Sequence, residues 1–314
     1  MKASGISTKT IVPVSLLFIF VLLLPFLFSN YYVGLVIQIF VMAIFASSLN
    51  LLVGYTGLPS MGHAAYFGVA AYATGFLYFA GMKNFWIVLL AGVGISAFTA
   101  ALFGLLALRA RGPYFMLITL ALSEVLWGIA FKWRSITRGD DGLPGIGRPW
   151  IGFGIDLKPD LHFYYFSLFI LLLVFGALYI IVNSPLGYAL RGIRESESRM
   201  KALGYNVWLY QYLGFVFAGG FAGVSGALWV YYGGFVNPSN LGVDLSVKGL
   251  LMLILGGSGS LFGPAIGAAI IVLLENIVSG LTERWSLFLG IIYVVAIMLF
   301  SEGITSILKR GRTS

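Results

Sequence analysis

Cysteine is absent from all 314 residues, which excludes disulfides, thiolate chemistry and cysteine-based metal sites. Charge is scarce: Asp, Glu, Lys and Arg make up 10% of the chain, where soluble domains carry about 25%. No charged residue occurs from Thr10 to Met82, from Leu161 to Leu190, or from Ala202 to Val243. Only two histidines are present, and neither a Ser/His/Asp grouping nor an HExxH motif can be assembled, so the sequence reads as a non-enzyme without metal or cofactor. The phosphate-cradling pattern GxxxxGK[ST] is missing as well, so any ATP-driven activity requires a separate ATPase chain. The net charge of +8 is modest, and its cations cluster at the ends of apolar runs, which suits membrane topology rather than nucleic-acid binding.

What is present is apolar. The chain is 60% hydrophobic with mean hydropathy +0.97. A bilayer core about 30 Å thick takes roughly 20 apolar residues per helical span. The sequence predicts an all-α, polytopic membrane protein with eight to ten spans and a single transmembrane domain over residues 1–314. Approximate spans fall at 11–29, 31–53, 60–82, 85–108, 113–131, 162–183, 207–234, 245–256, 260–280 and 285–302. The first follows Lys2 and Lys9, lacks a small-x-small cleavage site, and runs into Ser29-Asn30-Tyr31-Tyr32, which marks an uncleaved span ending at an aromatic belt. The eighth is too short to cross alone and reads as half of a broken helix hinged at Gly256-Gly257-Ser258-Gly259. GYTGLPSMG, from Gly54 to Gly62, reads as a second break.

Parity places both termini on the cytoplasmic side. Eleven Lys and Arg then lie inside and eight outside, in keeping with the positive-inside rule, although the loop 132–161 carries five of the outer cations. That loop contains RGDDGLPGIGRP, whose Asp140-Asp141 lacks calcium-loop spacing; it reads as an outer loop that meets a substrate-delivery protein.

The segment Ser184–Asn206 is a charged island: Arg191, Arg194, Glu195, Glu197, Arg199 and Lys201 put six charges into eleven residues. Ser184-Pro185 suits a helix start and Gly204 a helix end. Glu195/Arg199 and Glu197/Lys201 are spaced i,i+4 with the acid first. Leu190, Ile193, Met200 and Leu203 fall near one stripe, predicting a short amphipathic helix outside the bilayer that docks a cytosolic partner. The plainer alternative is a surface loop with topogenic arginines.

Candidate pathway or hinge positions are Gly57, Ser60, Gly62, His63, Gly256, Gly257 and Gly259 around the two breaks, together with Glu124 inside the span 113–131. Transporters build midplane sites from paired broken helices, whose free backbone groups bind substrate; the alternative is that these glycines mark tight packing. An ionisable group at the centre of a span costs about 2.5–3.5 kcal/mol, so Glu124 is expected to face the protein interior with a partner. His63, Asn50 and Gln38 read first as packing or hydrogen-bonding groups.

Four segments, NLLVGYTGLPSMGHAAYFGVAAYATG (50–75), RGPYFMLITLALSEV (111–125), TRGDDGLPGI (137–146) and SPLGYALRGIRESESRMKALGYN (184–206), with LMLILGGSGSLFGPAIGAA (251–269), resemble the membrane permease subunit of branched-chain amino-acid ABC importers, the LivM kind. The resemblance covers roughly residues 11–308. It implies a homologous second permease subunit, normally as a heterodimer, two cytosolic ATP-binding subunits, an extracytoplasmic binding protein, and residence in a bacterial inner membrane. It also implies a coupling helix spanning Arg191, Arg194, Glu195, Ser196, Glu197, Arg199, Lys201, Leu203 and Gly204. The generic importer pattern of Glu-Ala-Ala with a downstream Gly is replaced here by Glu195-Ser196-Glu197 and Gly204. A urea or short-amide permease of the same family, and an ion-coupled secondary transporter using Glu124 and His63, are the alternative functions.

Overall fold

The computed structural model describes residues 19–152 and 156–281, with isolated positions between 284 and 298. Helical residues 19–27 lead into α1, Asn30–Asn50, which continues as a π-helical turn, Leu51–Tyr55. Then come α2 (Ala64–Phe79), α3 (Phe85–Ala107), α4 (Pro113–Lys132), α5 (Asp160–Val182), α6 (Pro185–Glu195), α7 (Glu197–Ala202), α8 (Val207–Gly233), α9 (Val243–Gly256) and α10 (Gly263–Leu281). Six of these helices, α1 with its π turn, α3, α4, α5, α8 and α10, are long and apolar enough to cross a membrane. The chain is a polytopic helical membrane protein. Residues 11–18 of the expected first span, most of the expected tenth span and the basic tail lie outside the described residues.

Helix starts follow local chemistry. Asn84 caps α3 by accepting from Trp86 N at 3.0 Å, and Asn206 caps α8 by accepting from Leu209 N at 3.2 Å. Pro113 and Pro185 occupy first helical positions, where a missing N–H costs nothing.

The centre of the bundle is α1 and α8, the two most buried long helices. α8 packs on α1, α2 and α3; α10 packs on α9 and α1; α5 leans on α1. In lipid there is no hydrophobic force between helices, so close approach of small residues does the joining. Along α8 a Cβ on Gly219 would stand 2.3 Å from Ala100 Cβ, and one on Gly226 would stand 2.1 Å from Phe67 O. Ser96 Oγ sits 2.8 Å from both Tyr66 O and Gly219 O, tying α3 to α2 and α8. Fully buried aromatic rings, among them Phe45, Tyr66, Phe67 and Phe215, fill the remaining space.

The described part of the loop after α4, residues 133–152, folds back over one end of the bundle. Its strand β1 (Leu143–Pro144) pairs antiparallel with β2 (Phe235–Val236), just after α8. Trp150 exchanges backbone hydrogen bonds with Lys83 and Phe85 at 2.8 and 2.9 Å, and Arg148 pairs with Asp160 at 2.6 Å.

Candidate functional site

The charged island folds as two helices, not as the single helix its spacing predicted. Ser184 Oγ accepts from Gly187 N at 3.4 Å and starts α6. Ser196 then leaves the helix (φ −163°, ψ 103°), and its Oγ accepts from Arg199 N at 3.3 Å, capping α7. A serine hydroxyl competes with the helix for backbone N–H groups, and here it wins. Glu195 and Arg199 consequently sit on different helices, and their expected pair is not formed. Glu197 and Lys201 remain within α7 and approach to 3.8 Å. Gly204, at φ +85°, closes α7 in a Schellman motif: Tyr205 N donates to Met200 O at 3.1 Å and Gly204 N to Lys201 O at 3.0 Å.

The two helices share a small core of Ala189, Ile193 and Met200 with Val207, and Leu190 joins the main core. Leu203, expected on the same stripe, is 67% exposed, because it lies beyond the last turn of α7 after the kink at Ser196. Three charged side chains point back toward the bundle. Arg191 Nη2 donates to Val182 O at 3.0 Å and stacks over Tyr188. Glu197 accepts from Gln211 Nε2 at 3.0 Å and lies 3.7 Å from Arg111. Arg194 Nη1 donates to Gly54 O. Glu195, Arg199, Lys201, Leu203 and Gly204 face outward.

Arg194 reaches both glycine-rich breaks. A Cβ on Gly57 (φ +75°) would meet Arg194 Cγ at 3.0 Å, and one on Gly259 (φ +79°) would meet Arg194 Nη1 at 2.9 Å. The breaks touch each other directly: Asn50, 1% exposed, donates from Nδ2 to Ser260 O at 2.8 Å and accepts from Gly259 N at 2.9 Å. A segment near residue 55 and another near 259 thus form one junction, with the charged island against it. Asn50 carries that junction, although in the sequence it stands out less than the glycines.

The other candidate positions divide around this junction. Ser60 is buried and accepts from Gly62 N at 3.3 Å, while Gly62 lies against Thr119 O of α4. His63 is fully buried, 2.8 Å from Ser48 Oγ and enclosed by Phe45 and Tyr66. Because Ser48 Oγ also donates to Phe45 O, the network assigns the proton to His63 Nε2. Gly256 and Gly257 form the end of α9, where Gly256 packs against Gly263 O and folds α9 back on α10.

Glu124 differs from expectation. It is exposed on the outer face of α4 and has no hydrogen-bond or ion-pair partner among the described residues. It shares a shallow, open face of α4 with Val125, Gly128, Ile129, Lys132 and Trp133. The reason is that α4 is apolar all round, so its sequence does not say which side has a neighbour within the chain. A pair missed in the sequence is Lys248 of α9 with Glu275 of α10. The available signal was two ionisable residues inside apolar runs.

A family model for the permease component of branched-chain amino-acid transport systems matches residues 31–298. This chain belongs to that family. Among its relatives, the high-affinity branched-chain amino-acid transport permease protein LivM of Salmonella typhimurium is 28% identical over 303 residues, covering 89% of this chain and 71% of the relative. LivM of Escherichia coli is 27% identical over the same span and coverage. A tyrosine transport system permease of Clostridioides difficile is 31% identical over 75 residues, 24% of this chain and 25% of its own. No solved structure matches the chain. The family match takes in both breaks and the whole charged island of the permease.

Proposed function

We propose that this permease is the membrane subunit of an ATP-driven importer that carries branched-chain or related apolar amino acids across a bacterial inner membrane. It performs no bond chemistry. A homologous second permease subunit, two cytosolic ATP-binding subunits and an extracytoplasmic binding protein complete the machine, and both termini of this chain face the cytosol. The observation that carries the reading is Arg194, which joins a charged surface segment to both broken helices. ATPase closure would move α6 and α7, and Arg194 would pass that displacement to the junction of the breaks, biasing inward- and outward-facing states. Glu195, Arg199, Lys201 and Leu203 are the docking surface offered to the ATPase.

Glu124 supports the paired-subunit part of the proposal. A carboxylate left against lipid at mid-span costs about 2.5–3.5 kcal/mol, so the face of α4 that carries it is assigned to the second permease subunit and the wet path between the two.

The test is a photoreactive group at Glu195 or Arg199 in native membranes. Capture of an ATP-binding subunit is the expected result. An active, correctly inserted protein that captures none would overturn the docking role and return weight to a stand-alone transporter.

A further inference from the structure

Lys248 and Glu275 form an ion pair between α9 and α10, with side chains 19% and 20% exposed. The pair borders a cavity of about 320 Å³ whose remaining lining includes Gln38 of α1, Val272, Asn276 and Ser279. Tyr31 donates to Asn276 Oδ1 at 2.7 Å, so the cavity lies close to the aromatic end of α1. Its size is at the small end of ligand pockets, which run about 300–1,000 Å³. Among the described residues, one cation, one anion and neutral amide and hydroxyl groups converge on it.

Packing does not account for the pair. The α9–α10 hairpin is already held by close backbone approach: a Cβ on Gly256 would meet Gly263 O at 1.9 Å, and one on Gly267 would meet Met252 O at 1.8 Å. A half-buried ion pair adds little stability that apolar side chains of similar volume would not also provide. An ionisable pair set into two otherwise apolar helices therefore points to the transport path.

We propose that this cavity reads the zwitterionic head of the cargo, with the amino acid's carboxylate taken by Lys248 and its ammonium by Glu275. The inference rests on the permease reading above and deepens it by naming a cargo site. A zwitterion brings one cation and one anion together, so binding leaves the net charge of the cavity unchanged. Gln38, Asn276 and Ser279 supply the remaining hydrogen bonds. A carboxylic acid without the amine would leave Glu275 beside a second anion, and an amine without the carboxylate would leave Lys248 beside a second cation. Both misfits are the costly kind, because a site built for a polar group rejects an analogue that lacks it.

Because the chain has no cysteine, Gln38→Cys places a single thiol in the cavity of the complete importer. A small water-soluble thiol reagent should modify it; leucine should slow the modification, and isoamylamine or isocaproic acid at the same concentration should not. A thiol that never reacts, or that leucine and both analogues protect equally, overturns the proposal. The double variant Lys248→Glu/Glu275→Lys keeps an ion pair but reverses its polarity. It should insert and copurify with its partners, yet lose leucine uptake by about ten-fold or more. Wild-type uptake by the reversed pair would make it a structural staple and overturn the site. If the reversed pair fails to insert, the cysteine-protection result decides alone. Leucine uptake by the unmodified importer in the same vesicles tests the permease reading separately: its failure sinks both proposals, whereas its success with a failed protection assay sinks only this one.

Discussion

Replacing Arg194 by alanine should uncouple ATP hydrolysis from import. The side chain donates to Gly54 O, its stem covers Gly57, and its guanidinium lies against Gly259, so one residue links α6 to both breaks. A hydrogen bond from a charged donor is worth about 1.5–3 kcal/mol. Arg194 is partly open to water, so the lower end applies, about 1.5 kcal/mol, which is roughly a ten-fold change in how tightly the docking segment biases the junction. The assay is cargo imported per ATP hydrolysed in vesicles holding the full importer. Arg194→Ala should keep most ATPase activity and lose about ten-fold in that ratio. Arg194→Lys should fall between, since an ammonium can reach Gly54 O but cannot also present a planar fork to the second break. An alanine variant with an unchanged ratio would refute the reasoning, because the link between α6 and the two breaks is argued from the Arg194 side chain.

Asn50→Ala should destabilise the junction, because Ser260 O and Gly259 N both lose a buried partner; the sum is about 2–4 kcal/mol, read as a lower midpoint of heat inactivation in detergent. Asn50→Asp, which keeps the acceptor for Gly259 N and loses the donor to Ser260 O, should be affected as well, and an alanine variant as heat-resistant as the parent would remove the clamp from the argument. Gly259→Val, at φ +79° with Arg194 Nη1 2.9 Å from the new Cβ, should impair uptake, while Gly81→Val, at φ +87° in open space, should retain it; equal uptake by both would show that crowding against Arg194 does not matter. Gly204→Pro removes the N–H that bonds Lys201 O and forbids φ +85°, so it should abolish copurification of the ATP-binding subunits without reducing membrane insertion, as a blot of each fraction would show.

Much of the helical map was legible because its punctuation is local. Asn84, Gly112-Pro113, Ser184-Pro185 and Asn206 each mark a helix start through their own side chain or ring, and the structure places the helices there. The two breaks were legible for the same reason. Ser196 was readable in principle, since Ser-Glu at 196–197 repeats the grammar of a helix start, but the charge spacing across it suggested one continuous helix. Legibility stopped where the third dimension decides. Residue 50 and residue 259 meet only because α9 and α10 fold back against α1, and no local signal states that. Glu124 was turned the wrong way for a related reason. In water a polar residue marks the outer side of a helix, whereas in a membrane subunit that assembles with another chain the outer side can itself be an interior. An intramembrane carboxylate is still costly to leave uncovered; what the sequence could not say is which side of α4 the described helices of this chain pack against.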